Sequence, residues 1–336
     1  MLNFIIGVKN SGKTRKAHEV LGKCALEGKK TMLIVPKQFT FDTDKGILHL
    51  LGPKTASEIE VLSFSRLCHV ALKTYGGIKS PIAKGGMREI FMSVAIESLR
   101  DKLTVFSKHK NEIALVSKLL GEIDQMKNSG ITPDEIEAKA QRLTDNMLKE
   151  KLLETAMVYR AFDAIVSQSH FDDEDMLIKV WEILRYTDFF KGITVVIDGF
   201  KSFTYPEYKL IELMITKAEN VYVTLCSENL KDTNDLGAFG SVNSTARRLM
   251  LIAGNNGVET GDIIKCQRDE SRFTPEMLHL QENIYKTEAE VFANATDKVT
   301  LIKADVRENE CDASGISKVC RKKRQAVKGF KWEYVE

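Results

Sequence analysis

Residues 7 to 14 read Gly-Val-Lys-Asn-Ser-Gly-Lys-Thr, a complete GxxxxGKT phosphate loop. A short apolar strand, Leu2 to Ile6, leads into it, and the helix opened by Gly12-Lys13-Thr14 runs to about Glu27. A glycine loop between a strand and a helix start aims backbone N–H groups and the positive end of the helix dipole at one point, where a phosphate chain can sit. Gly7, Asn10, Ser11, Gly12, Lys13 and Thr14 are therefore the expected nucleotide-binding set. Lys13 would pair with phosphate oxygens and Thr14 would place its hydroxyl on magnesium, so ATP and Mg2+ are the expected ligands.

The second informative stretch lies far along the chain. The apolar run Ile193-Thr194-Val195-Val196-Ile197 reads as a buried strand that ends in Asp198-Gly199-Phe200. An aspartate at such a strand end is the usual partner of the loop, and it joins Thr14 as an expected metal contact. Gly199 stands where a motor ATPase needs a glutamate to handle water. Glu207 cannot simply replace it, because Pro206 starts a new helix. Nucleotide binding without fast hydrolysis is the physical expectation.

Strand and helix alternate over the first 75 residues. Thr31 to Val35 is a strand stopped by Pro36, and Ile59 to Leu62 is another, followed by a helix ending near Gly76. Such alternation predicts a parallel sheet covered by helices on both faces. From about 80 to 190 the apolar spacing becomes helical, as in Ile113, Val116, Leu119, Leu120 and Ile123, and no strand is expected. Thr132-Pro133-Asp134-Glu135 is a capping box that starts a helix there. Alternation then resumes with a helix from Pro206 to Lys217, a strand from Val221 to Leu225, and a polar loop over 229–245. Helices over 244–253 and 275–285 and a strand over 299–302 follow.

Bulk properties exclude more than they select. The net charge of +2 does not by itself declare a nucleic-acid binder, although Lys318, Arg321, Lys322, Lys323, Arg324, Lys328 and Lys331 crowd the end. Charge alone favours a solvated helix face there. Six cysteines without CxxC or Cys/His spacing speak against zinc or iron–sulfur ligation. No signal-like segment and no apolar run near 18 residues is present, so a cytoplasmic protein with no membrane partner is expected. The segment 329–336 reads as a strand beginning after a helix, which suggests a piece of a longer chain.

Three segments line what would be the carboxyl edge of the sheet: 35–41, 62–67 and 200–204. Each mixes amide, hydroxyl or cation with aromatic rings, the chemistry that holds single-stranded nucleic acid. Phe39, Phe64 and Phe203 are equally compatible with the core.

This combination resembles the N-terminal region of the AddB subunits of AddAB helicase–nucleases, relatives of UvrD-like superfamily 1 helicases. The resemblance rests on Gly7 to Thr14, Val35 to Phe41, Val61 to Leu67 and Ile197 to Thr204. It extends to the aromatic–acidic stretch His170 to Asp175 and to Arg272-Phe273 before Leu278-His279-Leu280. It implies a P-loop (RecA-like) α/β sheet domain with an all-helical insertion, truncated before a second motor domain. The corresponding boundaries are 1–78 with 190–285, 79–189 for the insertion, and 286–336 for the start of the truncated domain. It also implies DNA contacts at Gln38, Thr40, Phe64, Arg66, His69, Phe200 and Phe203, and Arg272 at the γ-phosphate. Chi recognition, an AddA-type helicase/nuclease partner, single-stranded and duplex-end DNA, and a nuclease domain with an iron–sulfur cluster outside this chain complete the implication. The chain departs from motor helicases in lacking a glutamine motif before Gly7, a glutamate after Asp198, and a glutamine after the strand that ends at Cys226-Ser227.

The expected function is thus an ATP–Mg-binding, DNA-contacting part of a double-strand-break repair helicase/nuclease, with little motor activity of its own. Two rivals remain at this stage. A P-loop small-molecule or nucleoside kinase would need a general base and a lid arginine cluster, and the sequence nominates neither. A DNA-binding scaffold with a vestigial ATP site is disfavoured by the intact Lys13 and Thr14.

Overall fold

The computed structural model describes residues 1–76, 82–83, 85–106, 113–169, 171–172, 175–234, 237–284, 286, 288–294, 296–297 and 299. Residues 300–302 of the expected third-region strand, the basic segment 318–331 and the rest of 300–336 lie outside them. The chain divides into two units, Met1–Arg268 and Asp269–Glu336.

The first unit is built on six parallel strands in the order β3-β2-β6-β7-β1-β8. They are β1 (Leu2–Gly7), β2 (Lys30–Ile34), β3 (Ile59–Leu62), β6 (Ile193–Ile197), β7 (Asn220–Cys226) and β8 (Thr260–Lys265). Alternation sorts their side chains onto two faces. Leu2, Phe4, Ile6, Met32, Ile34, Val195, Ile197, Val221, Val223 and Leu225 enter one core. Ile5, Leu33, Val35, Ile59, Val61 and Val196 enter another. Helix α1 (Lys13–Leu26) covers the second face through Ala17 and Leu21, together with α2 (Thr40–Ala56) through Ile47. The first face is covered by α3 (Phe64–Tyr75), α8 (Met176–Leu184), α9 (Tyr205–Lys217) and α10 (Gly240–Asn255). The predicted parallel α/β architecture is what forms.

Between α3 and α8 lies a separate core made by α4 (Gly86–Ser98), α5 (Ile113–Ser129), α6 (Pro133–Ala140) and α7 (Asn146–Ser169). Val116, Leu119, Leu120 and Ile123 are buried as their spacing predicts, whereas Ile113, at the start of α5, is exposed. The capping box of α6 is complete, with Thr132 N–H donating to Glu135 at 2.9 Å and Glu135 N–H to the Thr132 hydroxyl at 3.3 Å.

Among the described residues the region is helical apart from one pairing. Strand β4 (Ile82–Ala83), on the chain entering it, runs parallel to β5 (Phe171–Asp172), on the chain leaving it. Two residues are too few for a periodicity to announce. Around this neck is a buried charge network. Lys127 contacts Asp172 at 2.8 Å, Asp175 at 2.8 Å and Asp163 at 3.0 Å. Arg88 spans Asp124 at 2.5 Å and Asp172 at 2.9 Å.

The second unit contains α11 (Pro275–Asn283), two residues shorter than its expected end at 285. Among the described residues, no helix is long and apolar enough to cross a membrane.

Candidate functional site

Because all six strands are parallel, their carboxyl ends share one edge, where open α/β sheets place their ligands. β7 separates the phosphate-loop strand β1 from β6, so loop and Asp198 are about 10 Å apart across the sheet. β3, β2 and β6 are consecutive, which sets the segments after them side by side.

The loop has the geometry of an anion cradle. Gly7 closes β1 against the Cys266 carbonyl, which a Cβ there would meet at 2.5 Å. Asn10 (φ 64°) and Gly12 (φ 85°) take left-handed backbone, and Gly12 caps α1 without any side-chain bond to its N–H groups. Those N–H groups remain available at the positive end of a 14-residue helix. Thr14 is exposed. The Lys13 ammonium donates to the Val8 carbonyl of its own loop at 2.7 Å. The Ser11 hydroxyl is buried with no hydrogen-bond partner. The glycine loop, Lys13 and Thr14 thus lie together where β1 passes into α1.

Asp198 stands at the end of β6, its N–H held by the Ile34 carbonyl at 2.9 Å. It is only 6% exposed, and among the described residues no Lys or Arg pairs with it. One carboxylate oxygen accepts a hydrogen bond from the Thr224 hydroxyl of β7. The imidazole of His18, one turn beyond Thr14 on α1, lies in its field. Burial pushes the His18 pKa below 6.5, and the Asp198 charge only partly opposes this. His18 Nε2 is buried without a hydrogen-bond partner. An ionised carboxylate with a neutral hydroxyl as its neighbour is costly inside a protein unless a cation joins it. A buried carboxylate with an unengaged oxygen, on the same sheet edge as the Thr14 hydroxyl, is a donor set of the kind that a divalent cation takes.

Gly199 follows in left-handed backbone, φ 85°, and a Cβ there would lie 3.3 Å from the Pro36 ring. The position is shaped for glycine and not merely lacking a glutamate. Glu207 is spent in the capping box of α9, where it accepts from Thr204 N–H at 2.8 Å.

The expected DNA-contacting residues divide sharply. Gln38, in the short 3-10 turn Lys37–Phe39, is exposed. Its neighbours Phe39 (47% exposed) and Phe41 (65%) present open rings, with Lys45 over the Phe41 ring at 4.4 Å. Thr40 is half-buried and donates to the Lys37 carbonyl at 3.1 Å. Arg66 and His69 are exposed on α3, with the His69 ring bonded to the Ser65 carbonyl at 2.7 Å. Phe64 and Phe203, in contrast, are buried, the core placement that their rings equally allow. Phe64 packs edge-on against Phe200 at 5.5 Å and Phe203 at 6.3 Å, and Phe203 packs edge-on against Tyr208 at 5.5 Å. The gain from burying these rings outweighs leaving them open. Phe200 is half-buried in the same stack. Arg272 falls in the 3-10 turn Glu270–Arg272 of the second unit, and its side chain lies outside the described residues.

Of the aromatic–acidic stretch, Asp172 and Asp175 belong to the neck network, while residues 170, 173 and 174 lie outside the described residues. Asp163, Asp172 and Asp175 are close enough to ligate one ion, yet the Lys127 ammonium already contacts all three. The neighbours of Asp198 that sequence reading missed are Thr224 and His18. Neither has a local signal, since each acquires its neighbour only through packing.

Comparison with known proteins places the chain in a family. A family model described as ADDB, N-terminal matches residues 4–281. An ATP-dependent helicase/deoxyribonuclease subunit of Acetivibrio thermocellus is 30% identical over 330 residues, covering 95% of this chain and 29% of the relative. Proteins of the same description from Thermoanaerobacter sp. and Clostridium tetani are 28% and 27% identical, over 90% and 95% of the chain. The chain therefore spans less than a third of these relatives' length.

Proposed function

The chain belongs to the ADDB N-terminal family, and on that premise we propose that it is the nucleotide-holding, DNA-contacting region of an AddB-type subunit of an ATP-dependent helicase/deoxyribonuclease. The observation that carries the nucleotide part is the buried Asp198, paired with no Lys or Arg among the described residues, at the same sheet edge as an intact Gly7–Thr14 loop. Loop N–H groups and Lys13 would hold the phosphates of ATP. Thr14 and Asp198 would hold Mg2+, which neutralises phosphate charge when bound. Lys13 must leave the Val8 carbonyl to do so, and phosphate oxygens are the stronger acceptor.

Hydrolysis is expected to be slow. With Gly199 locked in left-handed backbone and Glu207 occupied at a helix cap, neither offers a carboxylate to the attacking water. The DNA part of the reading rests on the exposed Gln38, Phe39, Phe41, Arg66 and His69, carried by segments that follow the adjacent strands β2 and β3. Cations and amides would meet phosphates, and the two open rings would meet bases. The buried Phe64 and Phe203 and the half-buried Phe200 would brace this surface from beneath. Chi recognition, an AddA-type motor subunit, and nuclease and iron–sulfur domains beyond this chain complete the proposal.

The test is a titration with a fluorescent ATP analogue and Mg2+, followed by hydrolysis with and without single-stranded DNA. The expected result is binding that Lys13→Ala weakens by about 10- to 100-fold, the worth of a charge-assisted contact, without DNA-stimulated turnover. Rapid DNA-stimulated turnover would restore a motor. Turnover stimulated only by a small-molecule acceptor would make the site a kinase.

A further inference from the structure

Thr224 occupies the middle strand of the sheet between the phosphate loop and Asp198. In register, Thr224 lies opposite Ile5 of β1, while Val223 lies opposite Ile197 of β6, so Thr224 stands level with the step into Asp198. Its side chain is 3% exposed. The hydroxyl meets two groups of the neighbouring strand end, Asp198 Oδ1 and, at 3.4 Å, the Gly199 N–H.

Chemistry fixes the direction of both bonds. A backbone N–H can only donate, and an ionised carboxylate can only accept. Thr224 therefore accepts from Gly199 and gives its single proton to Asp198. The left-handed turn at Gly199 belongs to the same arrangement, since it carries the N–H that faces this hydroxyl. No other hydrogen bond or ion pair reaches the Asp198 carboxylate from the described residues. One oxygen is thus tied to a rigid, β-branched side chain on a central strand, and the other is left for a ligand.

We propose that Thr224 is the positioning residue of the cation site, fixing one oxygen of Asp198 so that the other is presented to the metal of a bound metal–nucleotide. Because this rests on the nucleotide reading above, the test must tell the two apart. Groups that orient a metal-ligating carboxylate typically change metal affinity by about 10- to 100-fold when removed. Thr224→Val keeps the shape of the side chain and deletes the hydroxyl, whereas Thr224→Ser keeps the hydroxyl.

Nucleotide affinity is measured for each protein in Mg2+ and in EDTA, and bound Mn2+ is counted by electron paramagnetic resonance at fixed nucleotide. In wild type the affinity in Mg2+ exceeds that in EDTA. In Thr224→Val that ratio falls about tenfold and the Mn2+ signal weakens in parallel, while affinity in EDTA is unchanged. Thr224→Ser restores both. A merely structural role would lower affinity in EDTA as well, and an unchanged ratio in Thr224→Val would also overturn the proposal. If Thr224→Val does not fold, Thr224→Ala carries the same expectations. A wild-type protein that binds nucleotide equally with and without metal overturns the positioning role alone. One that binds no nucleotide at all overturns the nucleotide reading together with it.

Discussion

Asp172, at the neck of the helical region, and Asp198, at the carboxyl edge of the sheet, are both almost fully buried. Their surroundings are opposite. Asp172 meets the Arg88 guanidinium at 2.9 Å and the Lys127 ammonium at 2.8 Å, and both cations are themselves buried or nearly so. Asp198 meets a hydroxyl and lies in the field of a neutral imidazole. In the first place the chain compensates its own charge, and the result is structure. In the second it leaves the charge open, which is what the proposed cation site requires. The same division holds for Glu154, which accepts from Thr104, Val105 and Phe106 N–H and the Thr104 hydroxyl at 2.6–3.0 Å, against the buried and unpartnered Ser11 hydroxyl beside the phosphate loop.

The comparison breaks most visibly at Lys127. Lys127→Met leaves Asp163, Asp172 and Asp175 facing one another without their shared cation. Removing one side of a buried ion pair costs about 3–5 kcal/mol, and the partial exposure of Asp163 and Asp175 places this case at the lower end. Asp198→Asn, measured by the same denaturant titration without nucleotide, is expected to cost nothing or to stabilise. Equal losses in the two variants would mean that Asp198 is also an internally satisfied charge, and the contrast would fall.

Glu154→Gln comes next. Its carboxylate holds the turn after α4, and charge-assisted hydrogen bonds of this kind are each worth about 1.5–3 kcal/mol. A loss of about 2–3 kcal/mol in unfolding free energy is expected. Burial pushes the Glu154 pKa up, yet the bonds from Thr104, Val105 and Phe106 outweigh it and hold the group below 4.5. A carboxyl depressed in the folded state contributes stability that is present above the unfolded pKa and is lost as pH falls through the folded one. The variant should therefore lose most at pH 7 and converge on wild type in acid.

This division explains which parts of the molecule were legible in sequence. The parallel sheet was, because β1, β2, β3, β6 and β7 are buried apolar runs closed by turn residues. The strand–glycine loop–helix unit around Gly7–Thr14 was, because its signal is local. Strand β8 was not, since Thr260–Lys265 is an edge strand whose residues are mostly exposed, without the alternation that a buried face imposes. Helix α2 was hidden by Gly46, Gly52 and Pro53, the last two marking a kink at φ 76°. Phe64 and Phe203 could not be told apart from the open Phe39 and Phe41, because composition reports an aromatic ring but not what packs on it. Thr224 and Asp198 are 26 residues apart and meet only because β7 lies beside β6.

Gly199→Glu tests whether the open edge can be turned back into a motor. An L-residue at φ 85° costs about 1–2 kcal/mol, and its Cβ would also crowd Pro36. The expected outcome is a destabilised protein with no gain in ATP hydrolysis, read by thermal melt and phosphate release. A gain in DNA-stimulated hydrolysis would show that the missing carboxylate was the sole obstacle.

The smallest effect belongs to His18, and it reports on Asp198 from the other side. Burial lowers the His18 pKa from 6.5, opposed by the Asp198 charge. The unfolded chain therefore binds this proton more readily than the folded one. Stability is unaffected above pH 6.5 and declines as pH falls below it, at no more than about 1.4 kcal/mol per pH unit for one proton. Between pH 7.5 and 5.5, His18→Gln should remove a loss of at most about 1.4 kcal/mol, since only the last unit lies below 6.5. In an Asp198→Asn background the opposing charge is gone, so wild-type His18 should resist protonation more strongly and the acid loss should steepen toward that limit. If it shallows instead, the carboxylate and the imidazole do not share a field, and the open charge at the sheet edge is compensated by some other route.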